Sequence, residues 1–197
     1  MRKEKEFFTC NAFIFLGSVA IMPNVRKGSA NKLIEEGNEH YRKGRLAEAV
    51  SAYNQALNIE PENPVAWNNK GLILAVAGNF AEALKCHMKA VELDPGHVDA
   101  ISNVGMTYTK LDEHEKALLW YDKALRLDPD HETTWNNKGN LLSKMDRYEE
   151  AMKCYERALA INPNYMAAMN NMAVELIHLK EFDRALSLLN NVLKSRP

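Results

Sequence analysis

The sequence predicts an all-α fold, a solenoid in which antiparallel helix pairs stack side by side. Three regularities of the 197-residue chain predict it. A proline that ends an apolar phrase recurs every 34 residues, a glycine and two alanines recur with the same step, and each interval has the apolar spacing of two amphipathic helices. A single pair of this length cannot bury its apolar face, so neighbouring pairs must stack.

The recurring residues set the register of the repeats. The prolines are Pro61, Pro95, Pro129 and Pro163, the glycines are Gly37, Gly71, Gly105 and Gly139, and one alanine series runs Ala49, Ala83, Ala117, Ala151 and Ala185. We predict an array over residues 30–197 that consists of five units: 30–63, 64–97, 98–131, 132–165 and 166–197.

The recurring residues have structural reasons, which the second unit illustrates. We predict a turn at residues 77–79 between its two helices. Gly71 lets the second helix approach at Ala83, where a larger side chain would force the two helices apart. Pro95 ends the second helix, because it lacks an N–H group and its ring clashes with the preceding turn.

The pattern resembles the tetratricopeptide repeat (TPR), and the five units match it in phase. In the fourth unit the matching residues are Trp135, Lys138, Gly139, Leu142, Ala151, Tyr155, Ala158 and Pro163. The resemblance implies a right-handed superhelix whose first helices line a concave groove. It also implies a non-catalytic scaffold that binds a protein or peptide.

An asparagine series marks the predicted groove. Side chains three, four and seven residues apart share a helix face, and the face opposite the glycine contact carries an asparagine in four successive units. Asparagine costs about 0.5 kcal/mol against alanine inside a helix, but its amide both donates and accepts, which suits a peptide main chain. The predicted groove residues are Asn38, Asn69, Leu72, Asn103, Met106, Asn137, Asn140, Asn171 and Val174.

Two further interpretations accompany this groove. Repeat duplication alone would copy an asparagine into every unit, and an exposed asparagine can simply face water. The neighbouring Asn68, Asn136 and Asn170 are predicted to flank the groove.

The TPR family also has a groove that clamps acidic chaperone tails with two asparagines and three basic residues. Asn38 and Asn69 match the asparagines of that clamp. The three basic places hold Ile34, Asp99 and Asn103 instead, so the resemblance does not favour an acidic tail as the ligand.

Composition and motifs favour no enzyme class. Lys and Arg number 25 against 26 Asp and Glu, a net charge of −1 that does not favour nucleic acid as a partner. No Gly-rich phosphate loop or metal-ligand spacing occurs, so we predict no catalytic residues, no metal and no cofactor. We predict that His97 and His131 are exposed turn residues, and that Cys86 and Cys154 are packing residues with free thiols.

The predicted function is a protein-interaction scaffold or adaptor that binds an extended peptide segment in the groove. One alternative is self-assembly into a homodimer through the last unit, in which Met172 and Ala173 replace the Lys-Gly of the fourth unit. A further alternative is a targeting module for a separate enzyme.

Residues 1–29 form an N-terminal segment with three open interpretations. Residues 7–22 are mostly apolar after a charged start, as in a signal peptide. Met22 could instead be the true start of the protein, or the apolar stretch could be a helix that docks on the array. We predict a cytoplasmic protein; export or a membrane anchor, and membrane contact in general, would depend on residues 7–22 acting as a signal.

Overall fold

The structure, a computed structural model, describes residues 28–194, and the side chains of residues 28–190. In that range the chain forms ten α-helices and no strand. They are α1 (28–42), α2 (Leu46–Ile59), α3 (Pro64–Val76), α4 (Phe80–Leu93), α5 (Val98–Lys110), α6 (His114–Leu127), α7 (Glu132–Lys144), α8 (Tyr148–Ile161), α9 (Met166–His178) and α10 (Phe182–Lys194). The predicted all-α fold is confirmed.

The helices stack in consecutive pairs. From α3 to α10, each odd-numbered helix packs most extensively on the following even-numbered helix. The odd-numbered helices of neighbouring pairs also touch each other, whereas the backbones of the even-numbered helices of neighbouring pairs do not approach one another in this range. The odd-numbered helices, which we call the first helices, therefore form the inner, concave side of the array.

A left-handed residue closes the turn inside every pair. The residues with positive φ are Gly44, Gly78, Asp112, Asp146 and Lys180. The N–H group of the next residue then caps the helix by bonding a carbonyl five residues back, as from Asn79 to Leu74 at 2.8 Å. The predicted turn at 77–79 is confirmed, since α3 ends at Val76 and α4 begins at Phe80.

The turns between pairs depend on the recurring proline. The Trp67 indole Nε1 donates to the carbonyl oxygen of Pro61 at 2.8 Å, and Trp135 repeats this bond to Pro129 at 2.9 Å. These bonds fix the start of each following first helix against the preceding turn.

The recurring glycine makes room for a ring of the second helix. A Cβ atom on Gly71 would lie 2.7 Å from Cε1 of His87, and equivalent atoms on Gly37, Gly105 and Gly139 would meet tyrosine rings. The sequence predicted Ala83 as the residue opposite Gly71. Ala83 is fully buried, but the nearest atoms to that position belong to His87, one helical turn further on.

The N-terminal segment lies almost wholly outside the described residues. The interpretations of residues 1–27 as a signal, a misassigned start or a docked helix concern that part of the chain. Residues 28 and 29, which the sequence placed in the preceding segment, already belong to α1. Among residues 28–194, no helix combines the length and the apolarity that crossing a membrane requires.

Candidate binding groove

All nine predicted groove residues lie on the first helices. Asn38 is on α1, and the others are distributed over α3, α5, α7 and α9. None of the nine is buried: Asn140 and Val174 are exposed, and the other seven are partly exposed. The concave side is therefore lined by side chains that a ligand can reach.

At the α1 end of the groove, two side chains donate to one asparagine oxygen. Asn38 Oδ1 accepts a bond from the Tyr53 hydroxyl at 2.7 Å and another from Asn69 Nδ2 at 3.0 Å. The Nδ2 group of Asn69 is thereby used inside the protein, and its oxygen is left for a ligand.

A buried asparagine holds the next rung. Asn103 Nδ2 donates to Asn68 Oδ1 at 2.9 Å. That same oxygen lies 3.2 Å from Nδ1 of His87, which is fully buried. Burial lowers the pKa of His87 to about 4, so the ring is neutral at pH 7 and its Nδ1–H donates to Asn68.

Three asparagines and a tyrosine meet at the α7–α9 end. Asn171 Nδ2 donates to Asn136 Oδ1 at 2.9 Å and to Asn140 Oδ1 at 2.7 Å. The Tyr155 hydroxyl donates to the same Asn140 oxygen at 2.8 Å. Neighbouring first helices are thus joined by amide-to-amide bonds along the groove floor.

The expectation that Asn68 and Asn136 flank the groove is wrong. Their exposed fractions are 6% and 5%, because each points into the contact between neighbouring first helices and accepts the bond just described. Asn170, the third member of the series, is exposed.

Asn137 differs from the other three rungs. Its side chain has no hydrogen-bond partner among the described residues, although it is only partly exposed. The position from which an asparagine would accept its bond holds Ser102, whose hydroxyl oxygen accepts from Thr134 Oγ1 at 2.8 Å.

His131 is not the exposed turn residue that the sequence predicted. Its side chain is only 18% exposed, its Nδ1 accepts from the N–H of Thr134 at 3.3 Å, and its Nε2 lies 3.1 Å from Asp99 Oδ1. The hydrogen bond with Asp99 raises the pKa of His131, and the same bond lowers the pKa of Asp99. His131 therefore caps α7 and ties it to α5. The signal in the sequence was Thr134, three residues downstream at capping distance.

A buried carboxylate lies at the far end of the groove, and the sequence did not reveal it. Glu175 is 2% exposed; its Oε1 accepts from the Ser143 hydroxyl at 2.5 Å, and its Oε2 is buried without a partner. The matching positions on α3 and α7 hold Ile73 and Leu141. Close by, the rings of Tyr148 and His178 stack with their centroids 4.9 Å apart.

The described residues offer no evident reactive centre. Cys86 and Cys154 are free and buried, as predicted, and burial raises the pKa of both thiols, that of Cys154 to about 11. Within residues 28–190, no group of three or more His, Cys, Asp or Glu side chains could hold a metal ion.

Stacked two-helix repeats with a lined concave side define a helical-repeat protein, and comparison with protein families specifies which kind. A TPR repeat model matches residues 37–78, and two tetratricopeptide repeat models match residues 63–130 and 133–165. The chain belongs to the tetratricopeptide-repeat family, as the sequence predicted, and in general terms it is a protein-interaction scaffold.

Individual relatives are similar in part of the chain or in fold. The TPR repeat-containing thioredoxin TTL4 of Arabidopsis thaliana is 45% identical over 42 residues, which span 21% of this chain and only 6% of that protein. The structure of TTC0263, a TPR protein of Thermus thermophilus, has a TM-score of 0.79 at 19% identity, over 85% of this chain and 92% of that one. The structure of Pseudomonas aeruginosa PilF has a TM-score of 0.77 at 20% identity, over 87% and 78%. At these identities the two structures show the fold alone.

Proposed function

We propose that the chain binds an extended peptide segment along the concave side of the first helices. The observation that carries the proposal is the row of groove asparagines, three of which are held in place by bonds from their own amide nitrogens to a neighbouring first helix. Their Oδ1 atoms make no hydrogen bond within residues 28–190, which leaves Asn69, Asn103 and Asn171 as acceptors for the N–H groups of a ligand.

Fixing these side chains in advance favours binding. A side chain that is already ordered loses less conformational entropy when a ligand arrives. First helices are about 10 Å apart and an extended chain advances about 3.3 Å per residue, so successive rungs meet about every third ligand residue. Leu72, Met106 and Val174 add apolar contact between the rungs.

The charges along the groove support a neutral segment over an acidic one. Lys144 is engaged in an ion pair with Asp112. Ile34, at one of the places that a carboxylate clamp would need to be basic, is 7% exposed. At about 0.5–1.5 kcal/mol for each hydrogen bond, a few rungs and apolar contacts give micromolar affinity, or about −8 kcal/mol.

The test removes two rungs together. Twelve-residue peptides are selected from a random library on the wild-type chain, and their affinity is measured by fluorescence anisotropy. We expect Asn103→Ala/Asn137→Ala to weaken binding about tenfold or more, because at least two hydrogen bonds are lost. The circular dichroism spectrum is the control for folding. Unchanged affinity in the folded double variant would contradict the proposal.

A second candidate function is self-association through the last helix pair. Ile177, Phe182 and Leu186 are 48%, 61% and 61% exposed. Met152, which matches Leu186 one pair earlier, is 6% exposed and packs against Leu176 of the next pair. The last pair thus presents the apolar surface by which an earlier pair receives its neighbour.

The opposite end of the array suggests how two copies would join. The α1 surface carries the ion pairs Lys32–Glu36 at 3.9 Å and Lys43–Glu39 at 2.9 Å, which do not complement an apolar face. A second copy would therefore join through its own last pair, in a closed two-fold dimer. Light scattering at low and high concentration tests this: Phe182→Glu/Leu186→Glu should abolish a dimer that the wild type forms. A wild type that is monomeric at all concentrations counts against this candidate.

A further inference from the structure

We infer that Asn137 is the anchor of the groove, where one peptide group of the ligand is bound by both the oxygen and the nitrogen of a side-chain amide. The inference rests on the proposed peptide-binding function and adds a register to it. The other three rungs have already used their nitrogens, so they offer oxygen alone.

Each rung has two possible acceptors on the preceding first helix. For Asn69 the acceptor is Asn38, and for Asn103 it is Asn68. Asn171 uses both positions, through Asn136 and Asn140.

For Asn137 neither position holds an asparagine. One is occupied by Met106, which has no amide oxygen, and the other by Ser102, whose side chain is shorter. The Ser102 oxygen accepts from Thr134 instead, at 2.8 Å. The positions that match Thr134 beside Asn68 and Asn136 hold Ala100 and Ala168. The Ser102–Thr134 pair therefore takes the place of an asparagine and an alanine, and it leaves the Asn137 amide uncommitted.

A free carboxamide recognises one chemical class well, a peptide group that presents N–H and C=O together. We therefore assign to Asn137 a ligand residue whose two main-chain groups both face the groove. The ligand residues at the other three rungs need to offer only an N–H. Proline at the anchor residue lacks its N–H and would lose half of this contact.

The test commits the Asn137 amide without removing it. Ser102→Asn/Thr134→Ala rebuilds the arrangement seen at Asn68 with Ala100, so the new asparagine can accept from Asn137. The probe is one of the twelve-residue peptides selected on the full wild-type chain. Asn137→Ala should weaken its binding about tenfold and Asn103→Ala about threefold, since the first loses two hydrogen bonds and the second one. The Ser102→Asn/Thr134→Ala variant should weaken binding about threefold or more, because only the oxygen of Asn137 stays free.

A measurement on the free protein separates this inference from the proposed function. Without peptide, the Nδ2 protons of Asn137 should exchange with water faster than those of Asn103 and Asn171, and they should slow in Ser102→Asn/Thr134→Ala. Equal exchange at all three asparagines overturns the inference. Peptide binding that is lost in Asn103→Ala but unaffected by Asn137→Ala also overturns it and leaves the groove function standing. If no selected peptide is sensitive to any groove substitution, the groove function itself fails, and the inference with it.

Discussion

The ring of Tyr155 occupies the space that a side chain on Gly139 would need. A Cβ atom on Gly139 would lie 2.5 Å from Cε1 of that ring, and Tyr155 is 1% exposed, so it cannot move aside into water. The same relationship links Gly37 to Tyr53 and holds the first and second helices of these pairs at one separation.

Gly139→Ala should therefore destabilise the array. Alanine is the better helix former by about 1 kcal/mol, but overpacking a buried contact typically costs about 1–3 kcal/mol, so we expect a net loss of roughly 1 kcal/mol or more. Urea unfolding followed by circular dichroism measures it. Gly96→Ala is the matched control, since a Cβ there meets only Asp94 at 3.4 Å. A Gly139→Ala variant as stable as the control would contradict the packing account.

His87 predicts a loss of stability in mild acid. Its pKa falls from an ordinary 6.5 to about 4 on burial, so the unfolded chain takes up a proton first as the pH decreases. The contribution is fully present above pH 6.5 and is lost as the pH falls towards 4. The difference between those two values corresponds to about 3 kcal/mol.

The variant that tests this is His87→Phe, which keeps a ring against Gly71. Between pH 7 and pH 4.5 the wild type should lose about 2–3 kcal/mol more of its free energy of unfolding than the variant does. Equal losses in the two proteins would show that His87 does not titrate as its burial requires.

Glu175 predicts a substitution that stabilises the protein. One of its oxygens is buried without a partner, and such a group costs about 1–3 kcal/mol. Glu175→Leu copies Leu141 and should raise the free energy of unfolding at pH 7 by about 1–2 kcal/mol. Because the Ser143 hydroxyl then loses its acceptor, Glu175→Leu/Ser143→Ala completes the comparison. Lower stability in both variants would refute the argument.

The helix pairs and the lining of the groove could be predicted from the sequence, but the bonds within it could not. Proline, glycine and alanine at a constant step specify helix ends and close contacts, so the pairs and their turns followed. Spacing also placed Asn69 and Asn103 on one helix face. Which atom of each amide is free depends on the residue opposite it on the preceding helix, and a repeat pattern does not contain that information.

The errors have the same origin. Asn68 is next to Asn69 in sequence, but a step of one residue turns the side chain from the groove into the neighbouring helix, where it is buried. His131 resembled a turn residue because it follows the recurring proline, yet it is bonded to Asp99 across two pairs. Glu175 was overlooked because a single charged residue in an otherwise apolar series does not alter the repeat.

The left-handed turn residues have a consequence for how the array breathes. Gly44 and Gly78 adopt positive φ without steric cost, whereas Asp112, Asp146 and Lys180 hold a conformation that costs about 1 kcal/mol or more for a residue with a side chain. The strain is therefore graded along the solenoid, absent from its first two hairpins and present in the last three. Because a repeat array opens locally at its weakest neighbour, fluctuations should begin at the α9–α10 hairpin and reach the front last. A long ligand would then thread in from that yielding end and come to rest against the stiffer one.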